Sequence, residues 1–186
     1  MHIFIKMKKE IFQNVEIPEG VEVSLDESGV TAKGKEGENK RKFNTNKLVF
    51  EKRDNQIIIG SKKATKKEKK MINTIKAHIE NMIKGVQEKF EYKLKVGFSH
   101  FPMSVEIAGN EIIIKNFLGE KIARKSKIPP GVEIKIDKDI ITIISSDKEL
   151  AGQTAANFET VTRIRGRDKR VFQDGIFITN KAGREM

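Results

Sequence analysis

The sequence has no cysteine. Disulfide frameworks, thiolate zinc sites and cysteine nucleophiles are therefore excluded, and a reducing, intracellular compartment fits this composition. Tryptophan is also missing, and aromatic residues make up only 6% of the chain. No Gly-Phe-Gly-Phe run of the kind that stacks bases in an RNA-recognition motif occurs, so no exposed stacking platform is expected. No stretch approaches the ~20 apolar residues of a membrane span. The opening MHIFIKMKKE is too short in apolar residues for a signal sequence. Met7-Lys8-Lys9 reads as the natural start, with residues 1–6 an upstream extension.

Catalytic signatures are as scarce. His2, His78 and His100 are the only histidines; none lies in HExxH, and no GxSxG is present. His78 sits beside the apolar stripe of a helical pattern and reads as a packed or edge histidine. Most carboxylates alternate with lysine, as on solvated surfaces. Two near-motifs fail on context. Gly29-Val-Thr-Ala-Lys-Gly34-Lys35-Glu36 resembles a phosphate-binding loop, but Glu36 replaces the Mg²⁺-binding hydroxyl and no helix follows. Residues 39–43 look charged and aperiodic, and a hairpin is expected there. Gly34-Lys-Glu-Gly37 matches the GxxG of a KH domain, yet it joins strands rather than helices. No catalytic activity, cofactor, metal ion, membrane or small-molecule substrate is expected.

What the chain does have is positive charge. Lys and Arg number 37 against 26 acids, a net +11 over 186 residues. Such an excess repels itself unless it meets a polyanion. High Lys, Glu and Ile content without cysteine also hints at a heat-loving source.

The chain says the same thing twice. IPEGVEVSLDESGVTAKGKEGENKRKF, LVFEKRDNQIIIG and a helical pattern are followed by FPMSVEIAGNEIIIKNFLGEKIARKSKI, GVEIKIDKDIITIIS and another helical pattern. Alternating apolar residues predict strands, with turns at Asp26–Gly29, Arg53–Asn55, Ala108–Asn110 and Asp137–Asp139. Thr65-Lys-Lys-Glu68 and Ser146-Asp-Lys-Glu149 read as capping boxes. Gly85 and Gly166, equally spaced after them, suit the left-handed position that ends a helix. The apolar stripes are Ile72, Ile75, Ile79 and Met82 in one helix, and Leu150, Thr154, Phe158, Val161 and Ile164 in the other. The predicted fold class is α+β: a tandem duplication of a small domain with an antiparallel β-sheet and one packed helix. The expected boundaries are an N-terminal extension (1–8), a first copy (9–85), a second (86–180) and a basic C-terminal tail (181–186). Phe90–Val96 fits either copy.

Two basic clusters stand out. In SKKATKKEKK, residues Lys62 to Lys70 read as a solvated helix start. Their cations oppose the helix dipole by some ~0.3–1 kcal/mol, which a phosphate would offset. The second cluster is RIRGRDKRVFQDGIFI, from Arg163 to Ile178. After Gly85 the first copy continues Val-Gln-Glu-Lys-Phe, nearly neutral, whereas Arg-Asp-Lys-Arg-Val follows Gly166. The charge is thus an addition of the second copy. In an extended segment Arg163, Arg165, Arg167 and Lys169 share a face; on a helix Arg163, Arg167 and Arg170 do. Guanidinium forks suit the repeated phosphates of an RNA backbone.

The stretch from Gln153-Thr-Ala-Ala-Asn-Phe-Glu to Phe172-Gln-Asp-Gly-Ile-Phe177-Ile closely resembles large-subunit ribosomal protein six in its archaeal and eukaryotic form. His100-Phe-Pro and Phe117-Leu-Gly-Glu-Lys121 share the likeness, and Phe177 stands where Tyr is common. The resemblance covers nearly the whole chain from Lys8. It implies a structural constituent of the large ribosomal subunit, anchored through its second copy on ribosomal RNA. Its place would be near the stalk base and the translation-factor-binding region, beside neighbouring ribosomal proteins, in the cytoplasm and without homo-oligomers. Arg163, Arg165, Arg167, Lys169 and Arg170 are the implied phosphate contacts, with Gln153, Asn157, Lys121 and Arg124 as further candidates. Phe172, Gly175 and Ile176 are expected to lock the last strand. A stand-alone RNA-binding translational regulator or RNA chaperone using the same surface is the alternative reading, and an enzyme with a scattered site the third.

Overall fold

The structure, a computed structural model, describes residues 9–26, 29–43 and 48–186. The expected extension at residues 1–6, Met7-Lys8 and the middle of the Asp26–Gly29 turn lie outside the described residues. The chain divides into two compact units, Met1–Glu88 and Lys89–Met186.

Unit one runs β1 (Lys9–Glu16), β2 (Glu22–Asp26), β3 (Gly29–Gly34), β4 (Gly37–Lys42), β5 (Val49–Arg53), β6 (Gln56–Ala64) and α1 (Lys66–Gln87). The strands form two antiparallel sheets, ordered β1-β6-β5 and β2-β3-β4. Unit two runs β7 (Phe90–Gly97), β8 (Ser104–Ala108), β9 (Glu111–Lys115), β10 (Arg124–Lys127), β11 (Glu133–Asp137), β12 (Ile140–Ser145), α2 (Lys148–Val161), β13 (Gly175–Lys181) and β14 (Arg184–Glu185). Its sheets are ordered β10-β9-β8 and β11-β12-β7-β13-β14. The pattern β1-β6-β5 recurs as β7-β12-β11, and β2-β3-β4 recurs as β8-β9-β10. The fold is an α+β tandem duplication. Each copy shares its antiparallel strands between two sheets, and Phe90–Val96 is the centre of the larger sheet of the second.

The local rules act as their chemistry requires. In β7, Tyr92, Leu94 and Val96 are buried while Glu91, Lys93 and Lys95 are exposed, the period-two pattern of a sheet with one wet face. The hairpin turns at Asp54 and Lys138 take left-handed backbone, with φ of 47° and 52°. The Gly29–Glu36 stretch forms β3 and the turn to β4. There Gly34 lies so close to α1 that an added Cβ would meet the Val86 carbonyl oxygen at 2.7 Å. The Glu36 amide donates to that same carbonyl at 2.9 Å, satisfying a group that the helix end leaves open. Residues 37–42, charged and without apolar alternation, still form a strand. Their place at a sheet edge keeps the side chains in water.

Helix α1 starts as expected. Thr65 accepts from the Lys67 amide at 3.3 Å, and Glu68 reaches back to the Thr65 amide at 2.8 Å. Ile72, Ile75, Ile79 and Met82 are all buried, each isoleucine contributing about 1.5–3 kcal/mol. Other helix signals are corrected. Gly85 is inside α1, which continues to Gln87. The second helix has Asp147 at its N-cap position, one residue after Ser146, and the Asp147 side chain accepts from the Glu149 amide at 2.8 Å. It ends at Val161, so Ile164 and Gly166 lie beyond it. Its buried face is Ala151, Thr154, Ala155 and Phe158; the first three are small, and Phe158 fills the core at the helix's C-terminal half. The core of this unit gathers Leu94, Ile112, Ile114, Phe117, Ile141, Ile143, Phe158 and Ile176.

Candidate nucleic-acid interface

The basic cluster is a loop, neither helix nor strand. It leaves α2 at the cap residue Thr162 and reaches β13 at Gly175. Unit one has no counterpart, because α1 leads within three residues to β7. The glycine comparison drawn from sequence aligned positions that differ in structure; what the second copy gains is an entire loop and the strand after it.

The loop is tied down at both ends. Thr162 donates its hydroxyl to the Phe158 carbonyl at 3.1 Å and accepts from the Ile176 amide at 3.0 Å, joining the end of α2 to β13. Arg124, on β10, donates from Nη1 to the carbonyls of Val161 (2.7 Å) and Arg163 (3.2 Å). Its other nitrogens grip Glu120 in a fork at 2.8 and 2.6 Å, and its guanidinium lies 4.3 Å from the Phe117 ring centre. The hydrogen bond from Arg124 holds the Glu120 carboxyl below its usual range, against partial burial and with the Arg124 and Arg167 charges helping. At the far end Asp174 is buried, only 2% exposed. It accepts from the amides of Ser99 (2.7 Å) and His100 (3.0 Å), and its Oδ2 lies 2.6 Å from His100 Nδ1. Burial pushes this carboxyl up, but the two amides and the His100 ring outweigh it and hold it down at about 2. An ionised carboxylate can only accept, so Nδ1 carries the proton of that contact.

Between these ties the cations face water. Arg163 and Arg165 are exposed, and Ile164 between them packs on the core. Gly166 takes a left-handed φ of 68° and turns the chain. Arg167 lies over Phe172 at 4.9 Å, and the His100 ring stacks on the same phenyl at 4.7 Å. Asp168 begins a tight turn, its carbonyl accepting from the amides of Val171 and Phe172. Its carboxylate pairs with Arg170 at 3.0 Å, and the Arg170 hydrogen bonds hold its pKa low. Arg163, Arg165, Arg167 and Lys169 form no ion pair with any described residue. Those four are therefore the available charges, while Arg170 is shared with Asp168 and Arg124 is engaged in bracing the loop.

The remaining candidates are spread more widely. Gln153 and Asn157 bond to each other at 3.0 Å along α2. Lys121 is exposed in the bend before β10. Lys125 was not singled out from sequence; it borders a shallow depression with Arg124 and Arg165 and pairs with Glu111 at 3.7 Å. The sequence also missed a groove of about 630 Å³ between the end of α2 and the start of β13, with Arg163 and Lys169 among its lining residues.

A family model described as Ribosomal protein L6 matches residues 17–89 and again residues 101–175. The large ribosomal subunit protein uL6 of Methanobrevibacter smithii is 44% identical over 171 residues, covering 92% of this chain and 96% of its own length. Those of Methanococcus vannielii (41%, 95% and 97%) and Methanosarcina mazei (42%, 95% and 100%) are as similar. The chain belongs to the ribosomal protein L6 family. Membership makes it a structural protein of the large ribosomal subunit and not an enzyme. The two matched segments correspond to the two copies of the fold, and the second extends through the basic loop to Gly175.

Proposed function

We propose that the second unit anchors this ribosomal protein on large-subunit ribosomal RNA, with Arg163, Arg165, Arg167 and Lys169 as the main phosphate contacts. Arg170 and Lys121 add to this field, and Gln153 and Asn157 offer polar contacts along α2. The carrying observation is a loop absent from the first copy, fixed at both ends, that presents four cations with no ion-pair partner among the described residues. Charge held this way meets an anion without first losing an internal partner or much conformational freedom. By family resemblance, the protein stabilises the RNA near the stalk base and the translation-factor-binding region, beside other ribosomal proteins and as a single copy. Its compartment is the cytoplasm, as part of the ribosome. Sucrose-gradient sedimentation after a high-salt wash tests the reading. The native protein is expected in the large-subunit peak, and a variant with the four cations changed to Ala is expected to shift toward the top of the gradient. Native protein found mainly free would instead favour a stand-alone RNA-binding regulator.

A further inference from the structure

The groove beside the basic loop has a composition that phosphate binding alone does not call for. One side carries Phe172, half-buried, and Phe177, which is 49% exposed. The Phe177 ring lies over Gly175 and beside Gly97. A Cβ at Gly175 would come within 3.2 Å of it, and one at Gly97 of the neighbouring strand within 3.8 Å. The ring is thus supported from below by two strands and open on its remaining surface. Arg163 and Lys169 belong to the same groove. Glu159, an acid in the lining, has one oxygen engaged by the Ile178 amide at 3.2 Å, and the other is open to an amino group on a base edge. Asp174 turns its carboxylate to Ser99 and His100. An apolar wall bearing a supported aromatic ring, beside two cations, matches one base with its phosphate. A volume of about 630 Å³ suits a ligand of that size.

We propose that this groove receives a single unpaired nucleotide of the RNA, its base stacked on Phe177 and its phosphate held by Arg163 and Lys169. The inference rests on the RNA-anchoring reading above and adds a base-binding subsite to what would otherwise be backbone contact alone. The anchored RNA must then contain a bulged or looped-out nucleotide, not only regular helix.

Filter binding to deproteinised large-subunit RNA from Methanococcus vannielii tests this, together with chemical probing of nucleotide flexibility in the complex. Phe177→Ala is expected to weaken binding about tenfold, the scale of one lost base stack. The slope of log K against log salt should stay unchanged, and Phe177→Tyr should bind like the native protein. Thr160→Trp, which places an indole from the exposed end of α2 into the groove, should give the same loss. In both weakened variants one nucleotide protected by the native protein should regain its reactivity. Native affinity and an unaltered probing pattern for Phe177→Ala and Thr160→Trp would overturn the subsite while leaving the RNA grip intact. Such a result would fit a groove that takes a protein side chain. Absence of salt-dependent binding by the native protein would overturn the anchoring reading and the subsite with it.

Discussion

At the scale of single residues, Asp174 explains most about the Phe172-Gln-Asp-Gly175 stretch. It is the shared acceptor that ties the start of β13 to the Ser99–His100 loop, while Phe172 is held between His100 and Arg167. Changing Asp174 to Ala removes the buried carboxylate that accepts from the Ser99 and His100 amides and the His100 ring, and the loss of these charge-assisted bonds should lower stability by about 2–3 kcal/mol in chemical denaturation. The same carboxylate sets a pH dependence. Its folded pKa of about 2 lies below the ordinary value of 3.8. The stabilisation is therefore full above about pH 4 and is lost as pH falls toward 2, and Asp174→Asn should remove that acid-sensitive component. Residue identity made Arg124 and Arg163 look equivalent as cations. Only the position of β10 against the end of α2 separates Arg124, which braces the loop, from Arg163, which is exposed to solvent, and nothing in the local spelling records it.

At the scale of elements, the duplication was legible because each copy repeats alternation, turns and a helical stripe that must bury against the same kind of sheet. The ends of the helices were not. Gly85 and Gly166 share a sequence spacing but not a role, because α1 gains another half-turn by packing Val86 against Gly34, whereas Thr162 caps α2 early by bonding to β13. Tertiary contacts decided both termini against the local signal. Residues 39–43 looked charged and aperiodic for a related reason: most of them belong to β4, an edge strand exposed to water that needs no apolar face. The loop between α2 and β13 behaves as an element in its own right, and Arg124 is its clamp. Arg124→Ala removes a carboxylate fork, two carbonyl contacts and a cation–π contact, and should cost about 2–3 kcal/mol in thermal or chemical unfolding. Its effect on the salt dependence of RNA binding should be small compared with that of Arg163→Ala. A large change in salt slope with unchanged stability would make Arg124 a phosphate contact instead of a brace.

Across the whole molecule, two copies of one architecture carry different surfaces. The first bears lysines from Lys62 to Lys70 around the start of α1, and the second bears the arginine loop that its extra strand made room for. Net charge of +11 is the composition expected for a polyanion partner but does not choose between these surfaces. The fold favours the second, because its cations are fixed at both ends and lie beside a groove. The most direct measurement is the salt dependence of binding to deproteinised large-subunit RNA. It compares the native protein, the Ala variant at Arg163, Arg165, Arg167 and Lys169, and a control with Ala at Lys66, Lys67 and Lys70. The loop variant should bind far more weakly, with the slope of log K against log salt reduced by roughly 3, about 0.7–0.9 for each lost phosphate contact. The helix-start control should keep a slope close to native. Equal losses in the two variants, or a loop variant with native slope, would contradict the assignment of the grip to the second copy.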